Sequence, residues 1–270
     1  MTANRAIDLD ELRRELIRPG GLWGQVDHVA ETGSTNADLA AAARAGTAEP
    51  GCVLVSDYQA AGRGRLGRTW TAPPRTSIAM SVLVRPDGVD PARWTWLPLL
   101  TGLAVADGLS RAAGLDVRLK WPNDVLVGDR KVCGILAERV ETPDGPACVV
   151  GMGINTHLEP ADLPVPTATS VAIEAATAGR PVPSRTSVVA TVLAAYELLF
   201  RRWVAAPDDS GLAAAYRRRS ATLGRAVRVV LGPDESIEGT ATAIDADGRL
   251  VVRTSGATRV FGAGDVIHVR

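Results

Sequence analysis

Arg63, Arg65 and Arg68 stand in one short run, Gly62-Arg-Gly-Arg-Leu-Gly-Arg-Thr-Trp70, interleaved with Gly62, Gly64 and Gly67. Guanidinium groups stay protonated at any working pH and hold rigid donor forks for carboxylate and phosphate. Glycine lets the main chain close around a ligand and offers bare N–H groups to its oxygens. Such a loop suits a substrate that carries several negative charges and must be shielded from water. Taken alone, the same residues also fit a solvated basic turn.

Gly62-x-Gly64-x-x-Gly67 matches the dinucleotide fingerprint and follows the strand-like run Cys52–Tyr58. That fingerprint needs a helix to start at its third glycine, so that the helix N-terminus can hold a pyrophosphate. Pro73 and Pro74 interrupt any helix begun at Gly67. The acidic residue due about 20 positions on is replaced by Arg85 and Pro86. The dinucleotide reading fails.

Three further segments carry chemistry. Lys120-Trp-Pro-Asn-Asp124 joins two strand-like runs, with Pro122 forcing Trp121 into an extended conformation. Its lysine, amide and carboxylate suit phosphate, base edge and magnesium, although an ordinary tight turn has the same composition. On the next strand, a two-residue turn at Gly128-Asp129 sets Lys131 opposite Leu126. Strict alternation then puts Lys131 on one face with Cys133 and Ile135, where its ammonium must find an anion or snorkel to an edge. Gly33-Ser-Thr-Asn36 lies where a strand turns into a helix. Thr35-x-x-Asp38 reads as a capping box, which leaves Ser34 and Asn36 free for a polar ligand such as a ureido or amide group. Gly151-Met-Gly-Ile-Asn155 ends a buried strand in small residues, with room for a flat ring above it.

The elements that must position these groups are legible from periodicity. Helices are expected at Asp8–Ile17, from Thr35, from Leu97 to Ala113, and through 166–220 with a break at Gly179–Ser184. Strands are expected at 26–31, 52–58, 77–85, 116–120, 124–127, 130–140 and 147–156. After Gly224 the texture changes to short strands at Val227–Leu231, Ile237–Ile244, Leu250–Thr254 and Val266–Val269, spaced as in a small barrel of about fifty residues. The expected class is α+β, a mixed sheet with helices plus a small β-barrel, divided at 1–221 and 222–270.

Thirty acidic and thirty basic residues balance over 270 positions, so bulk charge points to neither nucleic acid nor a membrane surface. Met-Thr-Ala-Asn-Arg leads into a charged helix, not into the apolar core of a signal peptide. The longest uncharged apolar stretch, Trp94 to Ala106, is far shorter than the ~20 residues of a membrane span. Cys52, Cys133 and Cys148 lack Cys-x-x-Cys spacing and read as reduced core residues of a cytoplasmic protein. His28, His157 and His268 show no metal-ligand spacing.

In order along the chain, Gly33-Ser-Thr-Asn36, Gln59, Gly62–Arg68 with Trp70, Lys120–Asp124, Lys131–Leu136 and Gly151–Asn155 resemble the motifs of the biotin protein ligases, and the resemblance runs from residue 26 to 270. Leu66 departs from it, at a position where the family often has another basic residue. The resemblance implies a catalytic domain like that of class II aminoacyl-tRNA synthetases, followed by an SH3-like barrel. It implies biotin and ATP as substrates, with Mg²⁺ near the phosphates. The product would be biotinoyl-AMP, and its biotinyl group would pass to a lysine on the biotin carboxyl carrier domain of an acyl-CoA carboxylase. Carried over by position, Ser34, Thr35, Asn36, Gln59, Gly62, Arg63, Gly64, Arg65, Lys131 and Gly134 hold biotin. Arg65, Arg68, Trp70, Lys120, Asn123, Asp124 and Asn155 fall on the ATP side, with Asp124 available to the metal. Lys131 and Arg65 take the catalytic roles, Lys131 between carboxylate and α-phosphate.

Some members add an N-terminal DNA-binding domain and act as repressors. About 25 residues precede the first strand here, too few for such a domain, so neither DNA binding nor repression is expected. Lipoate–protein ligases share the adenylation logic and form the alternative reading. A non-enzymatic RNA-binding module would need exposed aromatics, yet the barrel region offers only Phe261.

Overall fold

A computed structural model describes residues 6–206, 210–232 and 234–269. Residues 1–5, which bear on the signal-peptide expectation, 207–209, which fall within the helical expectation over 166–220, Pro233 and Arg270 lie outside the described set.

Seven strands form the main sheet: β1 (Gln25–Val29), β2 (Cys52–Ser56), β3 (Ser77–Val84), β4 (Val117–Lys120), β5 (Asp124–Val127), β6 (Arg130–Thr142) and β7 (Gly145–Asn155). Their order is β1-β2-β3-β7-β6-β5-β4. Only β1 and β2 run parallel; the other pairs are antiparallel. β3 is buried along its whole length and reads as a nearly continuous apolar run, as a strand covered on both faces should. One face is covered by α3 (Trp96–Ala113) and α5 (Arg185–Ala205), with α1 (Leu9–Leu16) against α5. α3 and α5 approach closely at Gly108, where a Cβ would fall 2.5 Å from Val192 Cγ2 and 2.8 Å from its Cα. The short α2 (Thr35–Arg44) packs on the other face over β3, β6 and β7, and leaves the rest of that face free for a cavity.

α4 (Val171–Thr177) and α6 (Ser210–Arg219) complete the helices. The helical expectation over 166–220 therefore fails at its start. The 167–169 segment instead extends the sheet beside β6: Lys131 N–H donates to Thr167 O at 2.7 Å, and Thr169 N–H donates to Lys131 O at 2.9 Å.

A second sheet holds β8 (Ala226–Val230), β9 (Ser236–Ile244), β10 (Leu250–Arg253), β11 (Thr258–Phe261) and β12 (Asp265–His268), in the order β11-β10-β9-β8-β12, all antiparallel. β11 is a strand that the periodicity did not reveal. The turn between β9 and β10 docks on the main domain through two tryptophans. Trp96 Nε1 donates to Ala246 O at 2.7 Å and Trp121 Nε1 to Gly248 O at 3.2 Å. Among the described residues no helix is long and apolar enough to cross a membrane.

Candidate active site

The free face of the main sheet opens into a cavity of about 370 Å³. It is floored by a pair of facing glycines. Gly134 on β6 sits opposite Gly153 on β7, and the indole of Trp70 lies directly over both. A Cβ at Gly153 would fall 2.5 Å from Trp70 Cε2, and one at Gly134 would fall 2.9 Å from Trp70 Cζ3. The small residues do leave room for a flat ring, and here the protein's own indole takes it.

At one end stands the N-terminus of α2. Ser34, not Thr35, is the capping residue: its backbone is extended and its Oγ accepts Ala37 N–H at 3.4 Å. Thr35 is instead the first helical residue, and both its N–H (2.8 Å) and its hydroxyl (3.0 Å) donate to Gln59 Oε1. Ser and Thr are near-equivalent caps, so the sequence left the choice between neighbours open. Asp38 receives the hydroxyl of Thr32, outside the helix. Asn36 rests on Gly151, where a Cβ would meet its Oδ1 at 2.2 Å. Ser81 on β3 donates its hydroxyl to Asn36 Oδ1 at 2.6 Å.

The arginine loop forms the roof. Its strands are pinned by Gly64 N–H to Arg68 O (2.7 Å) and Trp70 N–H to Gly62 O (2.8 Å). Gly62 lies under the loop and outside the main cavity's lining. A Cβ there would approach the Trp70 carbonyl oxygen to 2.4 Å, so only glycine fits. Leu66 sits at the tip with φ 57°, a left-handed conformation that costs a bulky residue energy. The loop's root is tied at Asp57, whose carbonyl accepts Arg75 N–H at 2.9 Å. Its carboxylate takes Arg185 at 2.6 Å and His28 at 3.1 Å. Burial opposes that charge, but the bonds from Arg185 and His28 prevail and hold the Asp57 carboxyl below its ordinary value.

All three loop arginines meet protein acceptors. Arg63 Nη2 lies 3.8 Å from Glu138 Oε1 on β6. Arg65 Nη1 donates to Asn123 Oδ1 and to Gly264 O, each at 3.2 Å. Arg68 pairs with Asp265 at the start of β12.

The opposite wall is the Lys120–Asp124 corner, whose Trp121–Pro122 peptide is cis. Lys131 Nζ sits 2.5 Å from Asp124 Oδ1, and Lys120 Nζ 3.9 Å from Asp124 Oδ2. Burial, and then Lys131 and Arg68, push the Lys120 ammonium below its ordinary value, against the pull of Asp124. Burial likewise lowers Arg65. The Leu126–Lys131 pairing occurs as expected, but the expected face for Lys131 does not. Val125 pairs with Cys133 and Leu126 with Lys131, so Val132 is an extra residue in β6. This bulge shifts the alternation by one. Lys131 therefore shares a face with Asp124 and Gly134, where a Cβ at Gly134 would lie 3.1 Å from Lys131 Nζ. Lys131 Nζ also lies 5.6 Å from the centre of the Trp70 ring.

Ser34, Thr35, Asn36, Gln59, Arg63, Gly64, Arg65, Arg68, Trp70, Lys120, Asn123, Asp124, Lys131 and Gly134 all line this cavity. Asn155 does not: it is buried and donates from Nδ2 to Thr169 O at 3.0 Å, steadying the segment that brackets Lys131. Sequence reasoning missed Ser81, Glu138 and Asp265. A lone polar residue inside the apolar run of β3, and the two-residue period from Gly134 through Leu136 to Glu138, would have flagged the first two. Nothing local marks Asp265. Among the described residues no group of three or more His, Cys, Asp or Glu is placed to hold a metal. Magnesium would arrive as part of the nucleotide substrate, with Asp124 the nearby carboxylate.

A sheet with one helix-covered face, a cation-lined cavity on the other and an attached β-domain defines a ligase of the adenylating kind. The sequence profile of the biotin/lipoate A/B protein ligase family matches residues 30–155, and that of the biotin protein ligase C-terminal domain matches 222–269. The biotin–[acetyl-CoA-carboxylase] ligase of Mycobacterium tuberculosis is 42% identical over 98% of this chain and 96% of its own. The enzyme of the same description from Paracoccus denitrificans is 35% identical over 88% and 98%. The Aquifex aeolicus biotin protein ligase, solved in complex with biotin and ATP, superposes with a TM-score of 0.75 at 25% identity, covering 92% of this chain and all of that one. The chain belongs to the biotin protein ligase family.

Proposed function

We propose that this protein is a biotin–[biotin carboxyl-carrier protein] ligase. It joins biotin to ATP, giving biotinoyl-AMP and pyrophosphate. It then passes the biotinyl group to a lysine of the carrier domain of an acyl-CoA carboxylase and releases AMP. The observation that carries this reading is the gathering of Lys120, Lys131, Arg63, Arg65 and Arg68 around one cavity whose far end is the polar, buried corner of Ser34, Thr35 and Asn36.

In the first step a carboxylate must approach an anionic phosphorus in line, and repulsion between the two opposes it. Lys131, held by Asp124 at 2.5 Å and by backbone bonds on both sides, is a fixed cation for both groups to share. Arg65 and Arg68 take the phosphate side, and the α2 corner with Gln59 takes the biotin ring. Trp70, flat over Gly134 and Gly153, divides the two ends. The Arg63–Arg68 roof closes over the adenylate and keeps water from the mixed anhydride. In the second step the amine of the acceptor lysine attacks the acyl carbon and AMP leaves.

Biotin is favoured over lipoate as substrate, because both near-full-length relatives described above are biotin ligases. Free, buried Cys52, Cys133 and Cys148 suit a reducing compartment, which supports a cytoplasmic location. The test is incubation with biotin, Mg-ATP and a carboxyl carrier domain, followed by intact mass of the carrier. One added biotinyl group that requires both substrates is expected; an unmodified carrier, or equal labelling with lipoate, would overturn the reading.

A further inference from the structure

Glu138 takes no part in the proposed chemistry, yet it touches both the α2 corner and the arginine loop. Its Oε2 accepts from Asn36 Nδ2 at 2.7 Å, and its Oε1 faces Arg63 Nη2 at 3.8 Å. We infer that Glu138 is a positioning residue that fixes the hydrogen-bonding polarity of Asn36 and tethers Arg63, so that one carboxylate couples recognition of the ligand ring to closure of the loop.

The argument follows from donor counting. A carboxamide has two N–H donors and one oxygen with two lone pairs. In Asn36 both donors are consumed, one by Glu138 and one by Leu136 O at 3.2 Å. Its oxygen faces the hydroxyl of Ser81. Rotating the amide by half a turn would set its oxygen against a carboxylate and a carbonyl, both acceptors. The amide orientation is therefore fixed by Glu138 together with Leu136, and Asn36 has only an acceptor left to offer the cavity it lines. An acceptor there selects ligands that present an N–H, as a ureido ring does. The second carboxylate oxygen points at the loop. Arg63 is half exposed, so this pair is weak by itself. It orients the loop over an end of the cavity that Asn36 has already organised.

This inference rests on the reading of the cavity as a biotin site, and the two can fail separately. The experiment compares wild type, Glu138→Gln and Glu138→Ala in biotin-dependent pyrophosphate exchange and in stray biotinylation of an unrelated protein, with melting curves for all three. Glutamine can still accept from Asn36 but carries no charge for Arg63. Glu138→Gln is therefore expected to keep the biotin KM within about threefold of wild type while raising stray labelling. Glu138→Ala is expected to raise the biotin KM roughly tenfold, to leave the ATP KM within about twofold, and to raise stray labelling as well. Equal biotin KM in wild type and Glu138→Ala overturns the inference, and so does a parallel rise of both KM values in the two variants. If Glu138→Ala does not fold, Glu138→Gln decides: stray labelling no higher than wild type overturns the inference. Wild type without biotin-dependent exchange would instead remove the reading of function itself.

Discussion

The two ends of the cavity are built on opposite plans. At the α2 corner Ser34, Thr35 and Asn36 are 6%, 3% and 4% exposed, and their polar groups are bonded to Gln59, Ser81, Glu138 and the backbone of Ala37. At the roof the Arg63 and Arg68 side chains are 51% and 63% exposed and lean on carboxylates of β6 and β12. Buried networks that are fully satisfied specify a single geometry. Exposed ion pairs are individually weak and exchangeable, since solvent and salt screen them. The α2 corner is preorganised, whereas the roof is held by exposed carboxylate partners that, on the proposed reading, a phosphate replaces.

The sharpest break in this contrast is at Lys131, which the bulge fixes between the two ends. Lys131→Ala should lower the rate of adenylate formation by roughly 10²–10³ while leaving the melting temperature nearly unchanged, because the side chain bridges charges and fills no core. Pyrophosphate exchange measures it, and near-normal exchange would refute the bridging role. Arg65→Gly acts on the roof alone. It removes the bonds to Asn123 and Gly264 and adds a glycine, so adenylate should still form but escape about ten- to a hundredfold faster. Stray biotinylation of an unrelated protein reads this out, and a clean reaction would show that Arg65 does not retain the intermediate.

A third test concerns the seam between the main sheet and β12. Arg225 can only donate, so His268 Nδ1, 3.4 Å from Arg225 Nη1, must accept; Nε2–H then donates to Thr222 Oγ1 at 3.2 Å. That oxygen also receives Trp121 N–H. Burial, then Lys120 and Arg225, push His268 down to about 4, against a weaker opposing pull from Asp129. The unfolded chain, near the ordinary 6.5, binds the proton first, so stability is unaffected above pH 6.5 and falls as pH drops from 6.5 toward 4. After allowing for the half-buried setting, the loss is roughly 1–2 kcal/mol. Melting curves across that range should show a flatter pH slope for His268→Gln; parallel slopes would dismiss the histidine. The smallest effect is expected from Asp265→Asn, which weakens a mostly exposed tether of Arg68. Adenylate escape should rise only a few-fold, under about 1 kcal/mol. A change as large as that of Arg65→Gly would show that β12 is an obligatory part of the roof.

Much of this was legible in the sequence because it is local. The arginine loop, the Lys120–Asp124 corner and the α2 entry announce themselves by residue type within a few positions, and the strand and helix periods placed most elements within a residue or two. What stayed hidden depends on pairing between distant segments. Gly264 meets Arg65 across 199 positions, and no nearby pattern encodes that meeting. Alternation assumes an unbroken ladder, so it set Lys131 beside Cys133 and Ile135, where the bulge at Val132 sets it beside Asp124 and Gly134. Small residues at Gly151 and Gly153 signalled space above the strand, but not that Asn36 and Trp70 fill it.

That bulge makes the direction Lys131 faces a matter of parity. From Gly134 back to Lys131 the count is odd, yet both face the cavity only because Val132 is supernumerary in the β5–β6 ladder. Inserting one residue between Val125 and Leu126 would give Val132 a partner, restore a regular ladder and keep every chemical group in the chain. It would also turn the lysine from the cavity toward the helical layer, away from Gly134 and Trp70.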